Sequence, residues 1–437
     1  MVSGASVKTA ALITAIFLAS ALLMPPTATT PALHPSANPP LVFIHWTEAG
    51  QACSAPWRSE RAAPSPKRVV LADDTLDADS AYRLACEGTG LLWRGDFQNA
   101  RQLLQALARR IDKPAKASKL AKVERKKALT ASQTSVSAGQ VFHVHRQARS
   151  QRARVLGMLL IEFGADYRVA LRRAPDVRQA CAEAWGTSGD ATGACVASLR
   201  ELLGIISAHE WRKKGVEIAA LGQAPHNRIY PHYAVFSPVR GEYVDLVATA
   251  PLPLQRPAKF VAFDIGTGTG VLAAVLALRK FDQVVATDQD PRALACARDN
   301  LQRLRLPAPV KVMQADLFPE GQASVIVCNP PWLPARPGSP LEGAVYDEGS
   351  RMLLGFIRGL AAHLAPGGEG WLILSDFAEH LGLRTRAQFL EAIAEHGLTV
   401  VGRMDVKPEH PKVRDTTDAL HAARALEVTS LWRLAAA

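Results

Sequence analysis

Apolar and polar positions along the second half of the chain fall into a repeating beat of short strand-like runs and helical stretches. Phe260-Val261-Ala262-Phe263 is a β-branched and aromatic run of strand length, and the apolar stretch Val271–Leu278 that follows it reads as a buried helix. Further strands are predicted at Gln283–Thr287, Val310–Ala315, Ala323–Cys328, Trp371–Asp376, Leu398–Met404 and Val428–Leu434. Arg351–Leu364, stopped by Pro366-Gly367-Gly368, and Arg386–Glu395 have helical periodicity. Strands alternating with helices predict an α/β domain with a mainly parallel sheet covered on both faces.

The first half reads differently. Ala81–Cys86 and Phe97–Ala108 are helical and are separated by Trp93-Arg94-Gly95-Asp96, where Gly95 ends the first helix and Asp96 caps the second. Arg152–Trp185 and Ala191–Lys213 return to a helical period, so a mainly helical N-terminal domain is expected. Gly215–Val247 is rich in β-branched and aromatic residues, has turns at Gly222 and Gly241, and predicts a hairpin joining the halves. The division that follows is 1–40 as an apolar leader and Pro-rich linker, 41–214 as a helical recognition region, 215–250 as the connecting hairpin and 251–437 as the α/β domain. At 437 residues and 48% hydrophobic content the chain can build two or three cores.

Composition changes this picture in three places. Six cysteines, at 53, 86, 181, 195, 296 and 328, include no Cys-x-x-Cys pair; this argues against a disulfide framework or a metal site and for reduced thiols in a cytoplasm. Ala10–Met24 is an apolar run preceded by the single charge Lys8 and is short for a spanning helix. Its n-region is thinly charged and no small-x-small cleavage site follows. Residues 1–24 are therefore read as an over-extended frame with Met24 as the start, or a tolerated tail, with export or anchoring as the alternative. The net charge is +11, yet Arg101–Arg154 holds fourteen Lys or Arg against Asp112 and Glu124, so the remainder is close to neutral. That segment, centred on Lys113–Lys127, reads either as a track for RNA phosphates or an acidic ribosomal surface, or as a solvated helix or linker without a partner. Phe142 is the lone aromatic there, which argues against stacking of single-stranded bases.

Candidate chemistry lies between Lys259 and Trp332. Asp264-Ile265-Gly266-Thr267-Gly268-Thr269-Gly270 joins a strand to a helix, and its glycines permit unusual backbone angles and close approach of a ligand. Counted from Gly266 the glycines fall at positions one, three and five. The dinucleotide fingerprint wants the sixth, here Val271, so NAD is disfavoured. Asp288 ends the second strand, where a doubly wound sheet holds a ribose through its hydroxyls. Asp316 ends the third, a carboxylate able to accept from an exocyclic amine such as that of adenine. Any one of these is also an ordinary turn or helix cap; the three in order point to a nucleotide-type cofactor.

The fourth strand delivers Asn329-Pro330-Pro331-Trp332. The oxygen of Asn329 can accept from one N–H of a planar nitrogen, the carbonyl of Pro330 from the other, and Trp332 offers a flat face. Two prolines fix the backbone and have no N–H to spend on a ladder. Such a clamp suits a glutamine side chain, adenine N6 or guanine N2 alike, and it demands no general base from His380, His410 or His421.

Together these motifs resemble the class I S-adenosylmethionine-dependent methyltransferases, in particular the small methyltransferase domain and the protein-glutamine N5-methyltransferases acting on release factors and a ribosomal protein. The resemblance covers about Arg228 to Leu434. It implies a Rossmann-like seven-stranded sheet whose final strand is antiparallel, with S-adenosyl-L-methionine as cofactor. Asp264, Gly266, Thr267, Gly268, Thr269 and Gly270 would then serve the methionine side, Asp288 the ribose, Asp316 and Leu317 the adenine, and Asn329, Pro330, Pro331 and Trp332 the acceptor nitrogen. It further implies a cytoplasmic enzyme methylating a protein glutamine in the translation machinery. Methylation of RNA or DNA at adenine N6 or guanine N2 is the alternative, and a non-catalytic RNA- or ribosome-binding module is a third reading. Where the family carries Glu-Pro downstream of the motif, this chain has Asp347-Glu348, and the N-terminal part is longer than the family's.

Overall fold

In this computed structural model, which describes residues 41–112, 137–187, 193–255, 257–409 and 413–437, a hairpin comes first. Strand β1 (Phe43–Glu48) pairs antiparallel with β2 (Gln51–Pro56). Ala49 and Gly50 both take positive φ, at 49° and 80°, which fits the right-handed twist of the two strands. The leader, its linker and Lys113–Lys127 lie outside the described residues, as does His410. Among the described residues no helix is long and apolar enough to cross a membrane.

There follow β3 (Arg68–Ala72), α1 (Ala78–Cys86), β4 (Thr89–Trp93), α2 (Phe97–Asp112), α3 (Ala138–Leu156), β5 (Leu159–Phe163), α4 (Arg178–Trp185), β6 (Cys195–Ser198) and α5 (Leu199–Lys214). Helices hold most of this region's regular residues, but they pack on a four-stranded sheet that the sequence pattern did not reveal. β3, β4 and β5 run parallel and β6 pairs antiparallel with β5. The stretches expected to be helical through Leu159–Phe163 and Cys195–Ser198 are thus strands in part. The cause is burial on both faces: Leu159 and Ile161 join the helical core while Leu160 and Val196 pack with Ile44 and Trp46 of the hairpin. A strand buried on both sides has no alternation to detect. Gly95 ends no helix, since α1 stops at Cys86 and Gly95 follows β4. Asp96 does cap α2, accepting from Gln98 N at 2.8 Å, and buried Trp93 donates its indole N–H to Asp96 O at 3.0 Å.

The connecting hairpin is short, with β7 (Val216–Glu217) antiparallel to β8 (Arg228–Ile229). Its expected continuation to Val247 is instead the helix α6 (Glu242–Thr249). Tyr243, Val244 and Val247 share one buried face at helical spacing, so burial overrode the β-branched composition.

The second half forms β9 (Val261–Ile265), α7 (Val271–Leu278), β10 (Gln283–Asp288), α8 (Pro291–Leu304), β11 (Val310–Gln314), β12 (Ala323–Cys328), α9 (Arg351–His363), β13 (Leu364–Ser375), α10 (Phe377–His380), α11 (Arg386–Glu395), β14 (Leu398–Val406), α12 (His421–Leu426) and β15 (Thr429–Ala436). Seven strands make one sheet in the order β11-β10-β9-β12-β13-β15-β14. All neighbours are parallel except β15, which runs antiparallel to β13 and β14. β13 begins earlier than its apolar run, because the stretch containing Pro366-Gly367-Gly368 bulges out between the pairs Ala323–Leu364 and Val325–Glu369.

Both faces of this sheet are buried. Ala262, Val325 and Val327 face the layer of α6 and α7, whereas Phe263, Ile265, Ile326 and Cys328 face that of α9 and α11. The register places the carboxyl ends of the central strands side by side: Ile265 pairs with both Thr287 and Cys328, and Asp288 with Gln314. In an open parallel sheet that edge, where the strand order reverses beside β9, is where ligands bind.

Candidate active site

Asp264 closes the glycine loop from beneath. The carboxylate is 1% exposed; its Oδ2 accepts from Thr267 Oγ1 at 2.6 Å and from Ala273 N at 2.9 Å, folding the loop back onto α7. Its Oδ1 is buried and takes no hydrogen bond from any described residue. Burial, with Asp288 adding a like charge, pushes the Asp264 carboxyl up to about 6.

Gly266, Gly268 and Gly270 sit at φ of 71°, 55° and 82°, a region that costs other residues about 1–2 kcal/mol each. Two of them are needed for different reasons. A Cβ on Gly270 would lie 3.2 Å from the Cα of Ala297, so this glycine lets α8 pack on the loop. A Cβ on Gly268 would meet nothing within 4 Å and would project into open space above the loop, which is where a ligand can approach bare backbone.

Asp288 grips that loop from the tip of β10. Its Oδ2 accepts from Gly268 N at 3.0 Å, its Oδ1 accepts from Asp290 N at 3.0 Å, and Thr267 N donates to Thr287 O at 2.8 Å. Burial raises the Asp288 carboxyl above its ordinary range. Two raised carboxylates at one loop, hydrogen-bonded to N–H and O–H groups without a Lys or Arg partner among the described residues, make a site suited to a cation. Asp316 is exposed beyond β11, where its Oδ1 accepts from Gln289 Nε2. Leu317 takes φ of 70°, and its carbonyl accepts from buried Thr287 Oγ1 at 2.6 Å, fixing this tip to β10.

Asn329 follows β12 directly, next to the glycine loop in register. Trp332 donates its indole N–H to Asn329 Oδ1 at 2.9 Å, so the ring that was expected only to offer a face also fixes the amide. Pro330 between them is buried and Pro331 half-buried. The Arg240 guanidinium stands 5.8 Å from the Trp332 ring centroid. It is held by buried Glu427 at 3.4 Å and by Glu242 at 3.5 Å, while Ser375 Oγ donates to Glu427 at 2.9 Å. Asp347, to which no role was assigned, accepts from Met352 N at 2.8 Å at the start of α9, a capping role. His380 lies 3.4 Å from Asp376, and nothing places it or His421 at the loop.

The structure therefore brings Asp264, Gly266 to Gly270, Asp288 and Asn329 to Trp332 to one edge of the sheet, with Asp316 and Leu317 at its rim. It also adds residues that the sequence reading missed. Asn300 is fully buried on α8; its Oδ1 accepts from Tyr230 N at 2.8 Å and its Nδ2 donates to Thr269 O at 3.1 Å and Tyr230 O at 3.2 Å. It ties the glycine loop to the segment after β8. A polar residue on the apolar stripe of Ala293, Ala297 and Leu301 is the signal that was available. Asn300→Ala removes the side-chain partner of Tyr230 N and Thr269 O and leaves Tyr230 O with the Cys296 thiol alone; it is expected to cost about 2–4 kcal/mol, read as a lower midpoint in urea denaturation.

A family model of the methyltransferase small domain matches residues 234–395. The chain is 35% identical over 137 residues to the release factor glutamine methyltransferase of Moorella thermoacetica, covering 29% of this chain and 48% of that protein. It is 33% identical over 129 residues to the ribosomal protein L11 methyltransferase of Chelativorans sp., covering 30% and 39%. A methyltransferase from Pyrococcus furiosus is similar in structure at 20% identity and a TM-score of 0.35, over 52% of this chain and 96% of that one. The chain spans about half the length of the curated relatives it matches. Over residues 234–395 the chain is thus similar to the methyltransferase small domain, as found in class I S-adenosylmethionine-dependent methyltransferases.

Proposed function

We propose that this chain transfers a methyl group from S-adenosylmethionine to a planar nitrogen, the side-chain amide of a glutamine in a protein of the translation machinery. One observation carries the reading: the register of β9 and β12 sets Asn329 beside a glycine loop that Asp288 holds by Gly268 N. The relatives named above act on release factors and ribosomal protein L11 by their names, which supports a glutamine and a translation partner.

The residues fit the cofactor. S-adenosylmethionine carries a sulfonium and ribose hydroxyls, and the loop offers two carboxylates, a buried Asp264 oxygen without a donor, and open space over Gly268. Asp288 would accept from the ribose hydroxyls, Gly266 to Gly270 would cradle the methionine portion, and Asp316 and Leu317 would flank the adenine. When bound, the cofactor supplies an electrophilic methyl carbon. The protein's part is to aim a lone pair at it. Asn329 Oδ1 has two lone pairs and spends one on Trp332, leaving the second for an N–H of the acceptor amide. The cofactor pool, and with it this reaction, is cytoplasmic in this reading.

Protonation of Asp264 gives the cofactor site a pH dependence. The ionised carboxylate attracts a cation, so affinity for S-adenosylmethionine should rise as pH rises through about 6 and level off above it. Between pH 5 and pH 7.5 the gain should be about tenfold. S-adenosylhomocysteine lacks the sulfonium charge and should show a smaller change. Calorimetric titrations of both ligands across that range check this, and equal pH profiles for the two would remove Asp264 from the account.

The acceptor is tested by incubating the protein with methyl-labelled cofactor and a cell lysate, then digesting with protease or ribonuclease. Label released by protease alone supports the glutamine reading. Release by ribonuclease alone replaces it with methylation of adenine N6 or guanine N2 in RNA, and no label in either fraction points to a binding module.

A further inference from the structure

Four arginines from three separate elements converge beside the loop that follows Trp332. Ser59 Oγ donates to Glu201 Oε2 at 3.0 Å and Glu60 N to Glu201 Oε1 at 2.6 Å, which ties the loop carrying Arg61 to the start of α5, where Arg200 precedes Glu201. Arg152 makes a two-pronged bond to Asp112 at 2.8 and 2.9 Å, docking α3 on the end of α2 and leaving Arg149 exposed one turn earlier. Burial and the charges of Arg61, Arg152 and Arg149 hold the half-buried Arg200 guanidinium below the usual arginine range. Arg61, Arg149 and Arg200 make no hydrogen bond to a side chain and no ion pair of their own among the described residues, and α3 carries no acidic residue from Ala138 to Leu156.

This cluster adjoins the acceptor side of the site. One turn before Arg149, Arg146 donates to Arg336 O at 2.7 Å and lies 4.2 Å from the Tyr346 ring centroid. Ala62, next to Arg61, lines a shallow groove with Arg336, Ser339, Gly343 and Glu348. From Arg146 to Arg152 the helix rises about 9 Å, so a basic stripe runs from the loop behind Trp332 to Arg61 and Arg200.

Asp112 offsets Arg152, Glu342 stands 3.9 Å from Arg146 and buried Glu201 follows Arg200 in the chain, whereas Arg61 and Arg149 have no ion-pair partner among the described residues. The excess of like charge raises the energy of the folded chain, and an anionic partner lowers it. We propose that Arg61, Arg149, Arg152 and Arg200 form a contact surface for the phosphate backbone of double-stranded RNA, placed so that the bound RNA flanks the acceptor loop. Guanidinium forks suit phosphates. A protein partner would need a central apolar or aromatic anchor, and Val144 is the one large apolar side chain that α3 exposes. Recognition of single strands would need stacking platforms, and α3 presents no exposed Phe, Tyr or Trp. The contact is sequence-independent, extends the charge of this region beyond the Lys-rich segment to α5 and the Arg61 loop, and holds whichever nitrogen is methylated.

The test uses the full chain and a fluorescein-labelled RNA duplex of about 20 base pairs and arbitrary sequence. Binding is followed by anisotropy from 50 to 300 mM salt, with poly-L-glutamate as the acidic-polypeptide competitor. Compared with wild type, Arg61→Gln/Arg149→Gln/Arg200→Gln is expected to bind about tenfold or more weakly at 100 mM salt, and to flatten the plot of log K against log salt by about 2 to 3. Its thermal midpoint should be unchanged or raised, because repulsion has been relieved. Its affinity for S-adenosylmethionine should be unchanged. Wild-type duplex affinity and salt slope in the triple variant would overturn the proposal, as would displacement of the duplex by an equal charge concentration of poly-L-glutamate. A lowered midpoint with impaired cofactor binding would assign the arginines a structural role instead.

Discussion

Asn329→Ala is expected to lower kcat for methyl transfer by about a hundred- to a thousandfold while S-adenosylmethionine binds as in wild type. The magnitude is that of removing one preorganised hydrogen-bonding group from a reacting centre. Delocalisation into the carbonyl makes an amide nitrogen a poor nucleophile, so the reaction depends on how firmly its N–H is held. Among the described residues the Asn329 side chain makes no hydrogen bond to the glycine loop or to Asp288; it accepts from Trp332. Cofactor affinity should therefore be indifferent to it. Trp332→Phe keeps an aromatic face but deletes the donor to Asn329 Oδ1, and a smaller loss in kcat of about tenfold is expected, since the amide is present but free to turn. Single-turnover kinetics beside calorimetric binding separate the two effects. Full activity in Asn329→Ala would refute the acceptor assignment.

Asp288→Ala should act on the other substrate. Its carboxylate accepts from Gly268 N and Asp290 N and stands where ribose hydroxyls would reach it. Two hydrogen bonds to an ionised acceptor contribute about 1.5–3 kcal/mol each, so affinity for S-adenosylmethionine should fall by about a hundredfold or more. The substitution also releases the loop at Gly268, and Asp288→Asn, which keeps one acceptor, should fall between the two. Calorimetry on the three proteins gives the series. Equal affinities across it would show that the ribose lies elsewhere.

The catalytic half was legible because its information is local. β9, the glycine loop and α7 are contiguous, so an apolar run, three glycines and Val271–Leu278 suffice to place them. Asp288 and Asn329 stand at strand ends, where the sheet itself brings them together. What stayed hidden joins residues far apart in sequence. Nothing near Arg240 points to Glu427, 187 residues on, and nothing near Tyr230 points to Asn300. The N-terminal sheet was missed for a different reason. Leu159-Leu160-Ile161 is buried on both faces, so its hydrophobicity is continuous and carries no period of two. In Glu242–Thr249 the composition favoured a strand and the packing of Tyr243, Val244 and Val247 decided for a helix.

A crystal structure of the full chain with S-adenosylhomocysteine tests the central geometry most directly. The ribose hydroxyls should lie within hydrogen-bonding distance of the Asp288 carboxylate, with the sulfur over Gly266 to Gly268 and its lone-pair side facing Asn329. A ligand bound away from Gly268, or seated there with Asn329 behind its adenosine instead of before its sulfur, would contradict the account.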